Sequence, residues 1–148
     1  MSVLVVALLA FMQSINASMK LTETNREAAL ALDGVREAIE TLQGVEEFSA
    51  VFGLYGGAGG FAIEGLSPAD GDADGLVGEI VFPTVGGELR EHLEDEKLGM
   101  PRDLNGDGDI DFENHSDDYR LLPVLVRARW KGSGGERFME ISTLLADR

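Results

Sequence analysis

A stretch of acidic and amide residues between Asp103 and Asp111 has the composition and spacing of a loop that binds a hard cation. Ca²⁺ takes six to eight oxygen ligands, and an EF-hand-type loop supplies them from positions 1, 3, 5, 7, 9 and 12. Gly108 falls at position 6, where such a loop turns sharply and glycine is favoured. The first five ligand positions hold Asp103, Asn105, Asp107, Asp109 (through its backbone carbonyl) and Asp111. The sequence therefore predicts a Ca²⁺ site in this loop.

The last ligand position departs from the EF-hand pattern. Position 12 is Asn114, which offers a single carbonyl oxygen where an EF-hand has a bidentate glutamate. Asp117 and Asp118 are alternative last ligands. Pro101 precedes the loop and a strand is expected soon after it, so EF-hand helices are not predicted. The predicted site, residues 103–114, is therefore closer to the calcium loops of dockerins and extracellular proteins than to a sensor.

Three further expectations concern the surroundings of this site. We expect Ile110, at position 8, to hold the loop against the core, and we expect His115 to be a surface residue rather than a ligand. A second acidic loop, from Asp70 to Asp74, has carboxylates in a looser pattern and could share the ion of the first. The alternative for the main loop is an acidic turn, closed by Asp and Asn side chains, that binds no ion.

The composition narrows the classes of function. The chain has 148 residues, 44% of them hydrophobic, which suits one domain with its own core. Its formal net charge of -15 opposes binding to nucleic acid or to anionic lipid. No cysteine is present, which excludes disulfides, thiolate metal sites and cysteine nucleophiles. GxSxG, HExxH, protein-kinase and dinucleotide motifs are also missing, so we do not expect an enzyme.

A long helix is predicted at the N-terminus. The run from Val3 to Met12 is apolar and uncharged, but alone it is too short to span a bilayer, which takes about 20 residues. From Leu21 to Gly44 there is no proline, and apolar residues recur in steps of three and four, with charged residues, Glu27 among them, mostly on the other side. The residues of this apolar face are Ala28, Leu32, Val35, Ile39 and Leu42. We predict one helix of roughly forty residues, about 60 Å long, ending near Gly44.

The remainder of the chain predicts a small antiparallel sheet. Alternating residues from Leu122 to Trp130 and from Glu136 to Leu145, around a glycine-rich turn, indicate a hairpin whose Trp130 belongs to the core. Shorter strands are expected at Phe61–Glu64 and Leu76–Phe82, and a short helix near Glu88–Glu94. The predicted fold class is α+β, a long N-terminal α-helix packed on a small antiparallel β-sheet. The segments are an apolar helix half (1–20), an amphipathic half (21–55) and a β-rich domain (56–148).

The stretch MSVLVVALLAFMQSINASMKLTETNREAALALDGVREAIETLQ resembles type IV pilin-like proteins, in particular minor pseudopilins of type II secretion. It looks like the part of those proteins that follows the FTLIE prepilin motif. The resemblance covers about the first 45 residues, and the remainder agrees only in architecture. No leader with a prepilin peptidase site is present, so we expect the natural start to lie upstream. Reading the upstream DNA for an in-frame leader tests this expectation.

The resemblance implies a function for the helix. In that family the first half of the helix anchors the subunit in the bacterial inner membrane and then packs in the core of a filament, and calcium loops stabilise some pseudopilin domains. It implies a filament subunit with other pilin-like subunits as partners and its domain in the periplasm or at the cell surface. The alternative is a membrane-anchored calcium-binding module that binds a protein or glycan without polymerising. A secreted hydrolase is a third reading, which the missing catalytic motifs oppose.

Overall fold

The computed structural model describes residues 2–57 and 59–147 and has the predicted α+β architecture. Met1, Ala58 and Arg148, which belong to the predicted segments 1–20 and 56–148, lie outside the described residues. The helices are α1 (Ser2–Gln43) and α2 (Ala50–Tyr55). The strands are β1 (Gly60–Phe61), β2 (Gly78–Val81), β3 (Thr84–Val85), β4 (Glu88–Leu89), β5 (Leu121–Gly132) and β6 (Gly135–Ala146).

Helix α1 confirms the prediction of one long helix. Its 42 residues correspond to about 63 Å at 1.5 Å per residue. The C-terminal half packs on β5 and β6 and buries Ala31, Val35 and Leu42 almost completely. The helix ends where expected, with the Gly44 N–H donating to the Glu40 carbonyl at 2.9 Å. Burial of this face, more than intrinsic helix propensity, stabilises the C-terminal half.

Glu27 corrects one detail of the predicted helix faces. We expected it on the exposed side, but it is only 9% exposed. Strands β5 and β6 are long enough for their turn to lie over this part of α1, and Glu27 Oε1 accepts a hydrogen bond from the Ser133 N–H at 2.9 Å. Gly132 permits the contact, since a Cβ there would lie 2.7 Å from Glu27 Oε2. A charged residue thus fixes the tip of the hairpin on the helix.

Gly34 explains how α1 approaches the rest of the domain. Glycine inside a helix costs about 1 kcal/mol relative to alanine, so its presence requires a packing reason. A Cβ on Gly34 would lie 2.7 Å from side-chain carbons of Ile63, which is itself buried. The missing methyl group therefore lets the chain after β1 lie directly against the helix.

The sheet has the strand order β1-β2-β5-β6, and all its pairs are antiparallel. Strands β5 and β6 form the predicted hairpin over their full length, from Leu121↔Ala146 to Gly132↔Gly135, and Trp130 is in the core as expected. The alternation of buried and exposed residues holds only in the second half of β5. In the first half Leu125 is also buried, and it belongs to the same hydrophobic core as Leu89 and Leu104 from the segment before β5.

The predicted short helix at Glu88–Glu94 is wrong. Residues 84–89 instead form a two-stranded hairpin, with Val85 paired to Glu88. The turn is Gly86-Gly87, and both glycines have positive φ, 64° and 87°. A type I′ hairpin turn requires positive φ at two adjacent residues, and this glycine pair meets the requirement. The turn therefore determines the structure here, although the charged residues that follow it favour a helix.

Helix α2 is joined to the core by Tyr119. The Tyr119 hydroxyl donates to the Phe48 carbonyl at 2.6 Å and accepts from the Phe52 N–H at 3.1 Å. The ring also packs edge-on against Phe48, with centroids 5.1 Å apart. One buried hydroxyl therefore satisfies two backbone groups of the connection between α1 and β1.

Substitution of this hydroxyl provides a test of the packing. Tyr119→Phe should destabilise the protein by roughly 1–3 kcal/mol, since the variant leaves a buried N–H and a carbonyl without their partner. Urea unfolding of the detergent-solubilised chain measures the change. Tyr55→Phe is the matched control, because Tyr55 is only half-buried and is expected to change stability little. Equal stability of Tyr119→Phe and wild type would contradict the assigned role.

Candidate metal centre

The predicted cation loop is anchored by Leu104, not by Ile110. Leu104 is fully buried, whereas Ile110 is 50% exposed, so the expectation that Ile110 holds the loop against the core is wrong. The Leu104 carbonyl also accepts hydrogen bonds from the N–H groups of Arg120 (2.7 Å) and Leu121 (2.9 Å). The beginning of the loop is thereby attached to the first residue of β5.

Within the loop, side-chain oxygens accept hydrogen bonds from backbone N–H groups a few residues further on. The two carboxylate oxygens of Asp103 accept from Gly106 at 2.6 Å and Gly108 at 2.9 Å. Asn105 Oδ1 accepts from the Asp107 N–H at 3.0 Å. Gly108 has φ +95°, as the sharp turn predicted at position 6 requires. These bonds wrap the backbone around the polar side chains of Asp103, Asn105 and Asp107.

The hydrogen bonds also keep the loop negatively charged. The Asp109 N–H, at 2.9 Å from Asp107 Oδ1, and the side chain of Asn105 lower the pKa of Asp107. The Glu113 N–H and the ring of His115 likewise lower the pKa of Asp111. Both carboxylates are therefore ionised well below neutral pH, the state in which they bind cations.

The remaining predicted ligands lie toward the end of the loop. Asp109 is exposed and Asp111 half-buried. Asn114 Oδ1 accepts hydrogen bonds from the backbone N–H and hydroxyl of Ser116, at 3.0 and 2.5 Å. The Asn114 oxygen thus caps the turn that follows the loop.

Glu91 is the residue of this region that the sequence did not indicate. Its side chain is 1% exposed. Oε1 accepts from the N–H groups of Leu104 at 2.5 Å and Asn105 at 3.3 Å, and Oε2 accepts from the Asp111 N–H at 3.3 Å. One buried carboxylate therefore holds both ends of the loop. No local pattern reveals this role, because Glu91 lies in a charged run that looks like a solvated surface.

His115 is buried, so its predicted surface position is wrong. Its ring nitrogens lie 3.1 Å from Asp118 Oδ1 (Nδ1) and 3.1 Å from Asp111 Oδ1 (Nε2), and Nε2 is 3.8 Å from Glu91 Oε2. Burial alone lowers the pKa of His115. The hydrogen bonds to Asp111 and Asp118 and the charge of Glu91 outweigh that effect, so its pKa is raised.

Among residues 2–57 and 59–147, one group of three or more acidic or histidine side chains brings its ligand atoms within 4.8 Å of one another. That group is Glu91, Asp111 and His115, and only Asp111 belongs to the predicted ligand set. The second acidic loop contributes to no such group in this part of the chain. Its Asp70 pairs with Lys131 at 2.8 Å, and Asp72 accepts hydrogen bonds from the N–H groups of residues 74 and 75.

No protein-family model, curated protein or solved structure matches this chain.

Replacement of the Glu91 carboxylate tests its part in holding the loop. Glu91→Gln should reduce the free energy of unfolding by about 1–3 kcal/mol in metal-free buffer, because the amide nitrogen faces N–H donors that then lose their acceptor. Urea unfolding followed by circular dichroism measures the effect. Glu94→Gln makes the same chemical change at an exposed neighbour and should stay within about 0.5 kcal/mol of wild type. Similar losses in both variants would refute the bracing role of Glu91.

Proposed function

We propose that this protein is a membrane-anchored subunit of a filament of the type IV pilin or pseudopilin kind, with a Ca²⁺-stabilised domain outside the inner membrane. The observation that carries the proposal is the N-terminal half of α1, which extends beyond the domain. Residues 5–23 are all exposed, and their large apolar side chains, from Val5 to Leu21, are 43–66% exposed. The helix is long and apolar enough to cross a membrane, with none of its most apolar stretch buried.

Exposure of this surface to water is unfavourable. Burying one large aliphatic or aromatic side chain gains about 1.5–3 kcal/mol, and nine such side chains are exposed between Val5 and Leu21. The first charged side chain is Lys20. The uncharged helix before it is about 27 Å long, close to the roughly 30 Å of a bilayer core. A membrane or the packed helices of neighbouring subunits would cover such a surface.

Small residues on α1 favour packing against other helices. Ala7, Ala10, Ser14 and Ala17 are spaced by three, four and three residues and therefore share one face. Small side chains let helix backbones approach closely within a membrane, where apolar contact alone provides little specificity. This face supports assembly through α1 in preference to a solitary anchor.

The proposed Ca²⁺ ligands are Asp103, Asn105, Asp107, the Asp109 carbonyl and Asp111, with Asn114 as the candidate last ligand. The proposal is supported by the ionised carboxylates, the turn at Gly108 and the spacing of oxygen donors. Because the Leu104 carbonyl is bonded to Arg120 and Leu121, an ion in the loop would stabilise the start of the hairpin. The ion is thus proposed as a structural clamp rather than as a switch.

Addition of Ca²⁺ should stabilise the folded chain, because only the folded state assembles the site. At a free Ca²⁺ concentration one hundred times Kd, one site contributes about 2.7 kcal/mol. The unfolding of the full chain in detergent is measured with Ca²⁺ and with chelator. Asp103→Asn/Asp107→Asn should abolish the difference, whereas Asp72→Asn/Asp74→Asn, in the second acidic loop, should preserve it. A wild-type melting temperature that does not respond to Ca²⁺ excludes the calcium part of the proposal.

Cysteine cross-linking tests assembly, and the natural chain contains no cysteine to interfere. Leu9→Cys and Leu21→Cys place thiols on the exposed half of α1, where the side chains are 55% and 62% exposed. If α1 packs in a filament, oxidation in membranes of the native host should join each subunit to two neighbours. The double variant is then expected to give ladders on non-reducing gels.

The variant with Leu9→Cys alone is the matched control, because one thiol per chain can form no covalent species larger than a dimer. Monomers and dimers only in the double variant would argue against a filament and for a membrane-anchored module that does not polymerise. The Ca²⁺ result is independent of this outcome.

A further inference from the structure

At the inner side of the cation loop, ligand atoms of Glu91, Asp111 and His115 lie within 4.8 Å of one another. His115 Nε2 lies 3.1 Å from Asp111 Oδ1 and 3.8 Å from Glu91 Oε2. The side chains of Glu91 and His115 are 1% and 3% exposed, and that of Asp111 is 38% exposed. The cluster therefore has a buried wall and one side open toward solvent.

Asp118 orients the histidine of this cluster. Its Oδ1 lies 3.1 Å from His115 Nδ1, and the His115 backbone N–H donates to the Leu89 carbonyl at 3.1 Å. Histidines that bind metals commonly donate their second ring N–H to a carboxylate, which fixes the tautomer and the ring plane. A protonated His115 ring donates N–H groups to both Asp118 and Asp111. In the neutral tautomer that carries its proton on Nδ1, that N–H donates to Asp118 and the Nε2 lone pair faces the carboxylates of Asp111 and Glu91, where a metal ion would replace the second proton. A lone pair and two carboxylate oxygens repel one another unless a cation lies between them.

The charged side chains that contact His115 are acidic, and Arg90 acts on the cluster only through its charge, which lowers the pKa of Asp111. In the described part of the chain, no lysine or arginine side chain forms an ion pair with Glu91, Asp111 or Asp118. Backbone N–H groups stabilise the Glu91 carboxylate, but they supply no full positive charge. Of the three carboxyl side chains around the imidazole, that of Glu91 is buried, whereas those of Asp111 and Asp118 are 38% and 59% exposed. A buried acidic side chain is commonly paired with a cation or bound to a metal ion.

The donor atoms and their separations indicate the kind of ion. With Zn–N and Zn–O bonds near 2.1 Å, two ligands of a tetrahedral zinc lie about 3.4 Å apart. His115 Nε2 lies 3.1 Å from Asp111 Oδ1 and 3.8 Å from Glu91 Oε2, so the two distances are slightly shorter and slightly longer than this value. One imidazole and two carboxylates suit Zn²⁺ or Mn²⁺, whereas Ca²⁺ prefers oxygen ligands alone. We propose that Glu91, Asp111 and His115 bind a divalent transition-metal ion, with Zn²⁺ as the best fit.

This site shares Asp111 with the proposed calcium site, but its other ligands are different. Asp103 and Asp107 are not part of the cluster, and Glu91 and His115 are not in the predicted calcium loop ligand set. The Zn²⁺ proposal therefore does not rest on the filament or the Ca²⁺ proposal, and substitutions can distinguish them.

Calorimetric titration of Zn²⁺ into the full chain tests the proposal. The chain carries no histidine tag, is solubilised in detergent and is stripped of metal, and the titration is run without Ca²⁺. One equivalent of Zn²⁺ should bind, and Co²⁺ in its place should give the intense visible absorption of a four-coordinate ion. His115→Gln should remove both signals. Asp118→Asn should weaken Zn²⁺ binding by about 10–100-fold, as loss of a carboxylate partner does for other metal-bound histidines.

The control is Asp72→Asn/Asp74→Asn in the second acidic loop, which contributes to no such group in the described part of the chain and should retain Zn²⁺ binding. No binding to the wild-type chain, or unchanged binding in His115→Gln, would overturn the proposal. If circular dichroism shows that His115→Gln does not fold, the Zn²⁺ affinity of Asp118→Asn tests the proposal in its place. The Asp118 side chain is 59% exposed, so this substitution leaves the core intact. Equal affinity of Asp118→Asn and wild type would then count against the site, and would leave a proton on Nε2 as the cation that the cluster holds.

Discussion

The contact between the C-terminal half of α1 and the β5–β6 hairpin is the interaction on which the remaining structure depends. It buries Ala31, Val35 and Leu42 against the sheet and gives a chain with several very short strands a continuous core. Strand β5 pairs with β2 on one side and over its full length with β6 on the other, and α1 packs on it, so it joins the sheet to the helix. The loops before β5 gain their fixed positions from it. The same contact leaves the other half of α1 without any cover from its own domain.

The acidic loop depends on the core through a carboxylate rather than through an apolar side chain alone. Leu104 enters the core, and Glu91 bonds the backbone at both ends of the loop from within the protein. The loop therefore has two chemically different sides. Its outer side presents carboxylates and amides to solvent, and its inner side combines Glu91, Asp111 and His115. The ligands proposed for Ca²⁺ and those proposed for Zn²⁺ lie on these two sides and share Asp111.

The sequence predicted features that repeat or that have a defined local geometry. The spacing of apolar residues predicted α1, the alternation around Trp130 predicted the hairpin, and Gly108 predicted the turn. Features that depend on distant parts of the chain were not predictable. Glu27 and Glu91 look like solvated charges until the hairpin tip and the loop cover them, and His115 looks like a surface residue until its backbone bonds to Leu89. The adjacent glycines Gly86 and Gly87 were sufficient to predict a hairpin turn, but the charged residues after them led to the prediction of a helix.

The continuity of α1 has a geometrical consequence. From Ser2 to Gln43 the helix has no proline, and its single glycine, Gly34, is held in place by Ile63. An uninterrupted helix is rigid, so the orientation of its N-terminal half determines the orientation of the domain about the helix axis. Each residue turns an α-helix by about 100°, so one residue inserted near Thr22 would rotate the domain by more than a quarter turn relative to the apolar half. The number of residues between the apolar half and the domain therefore sets the side on which the acidic loop faces its surroundings.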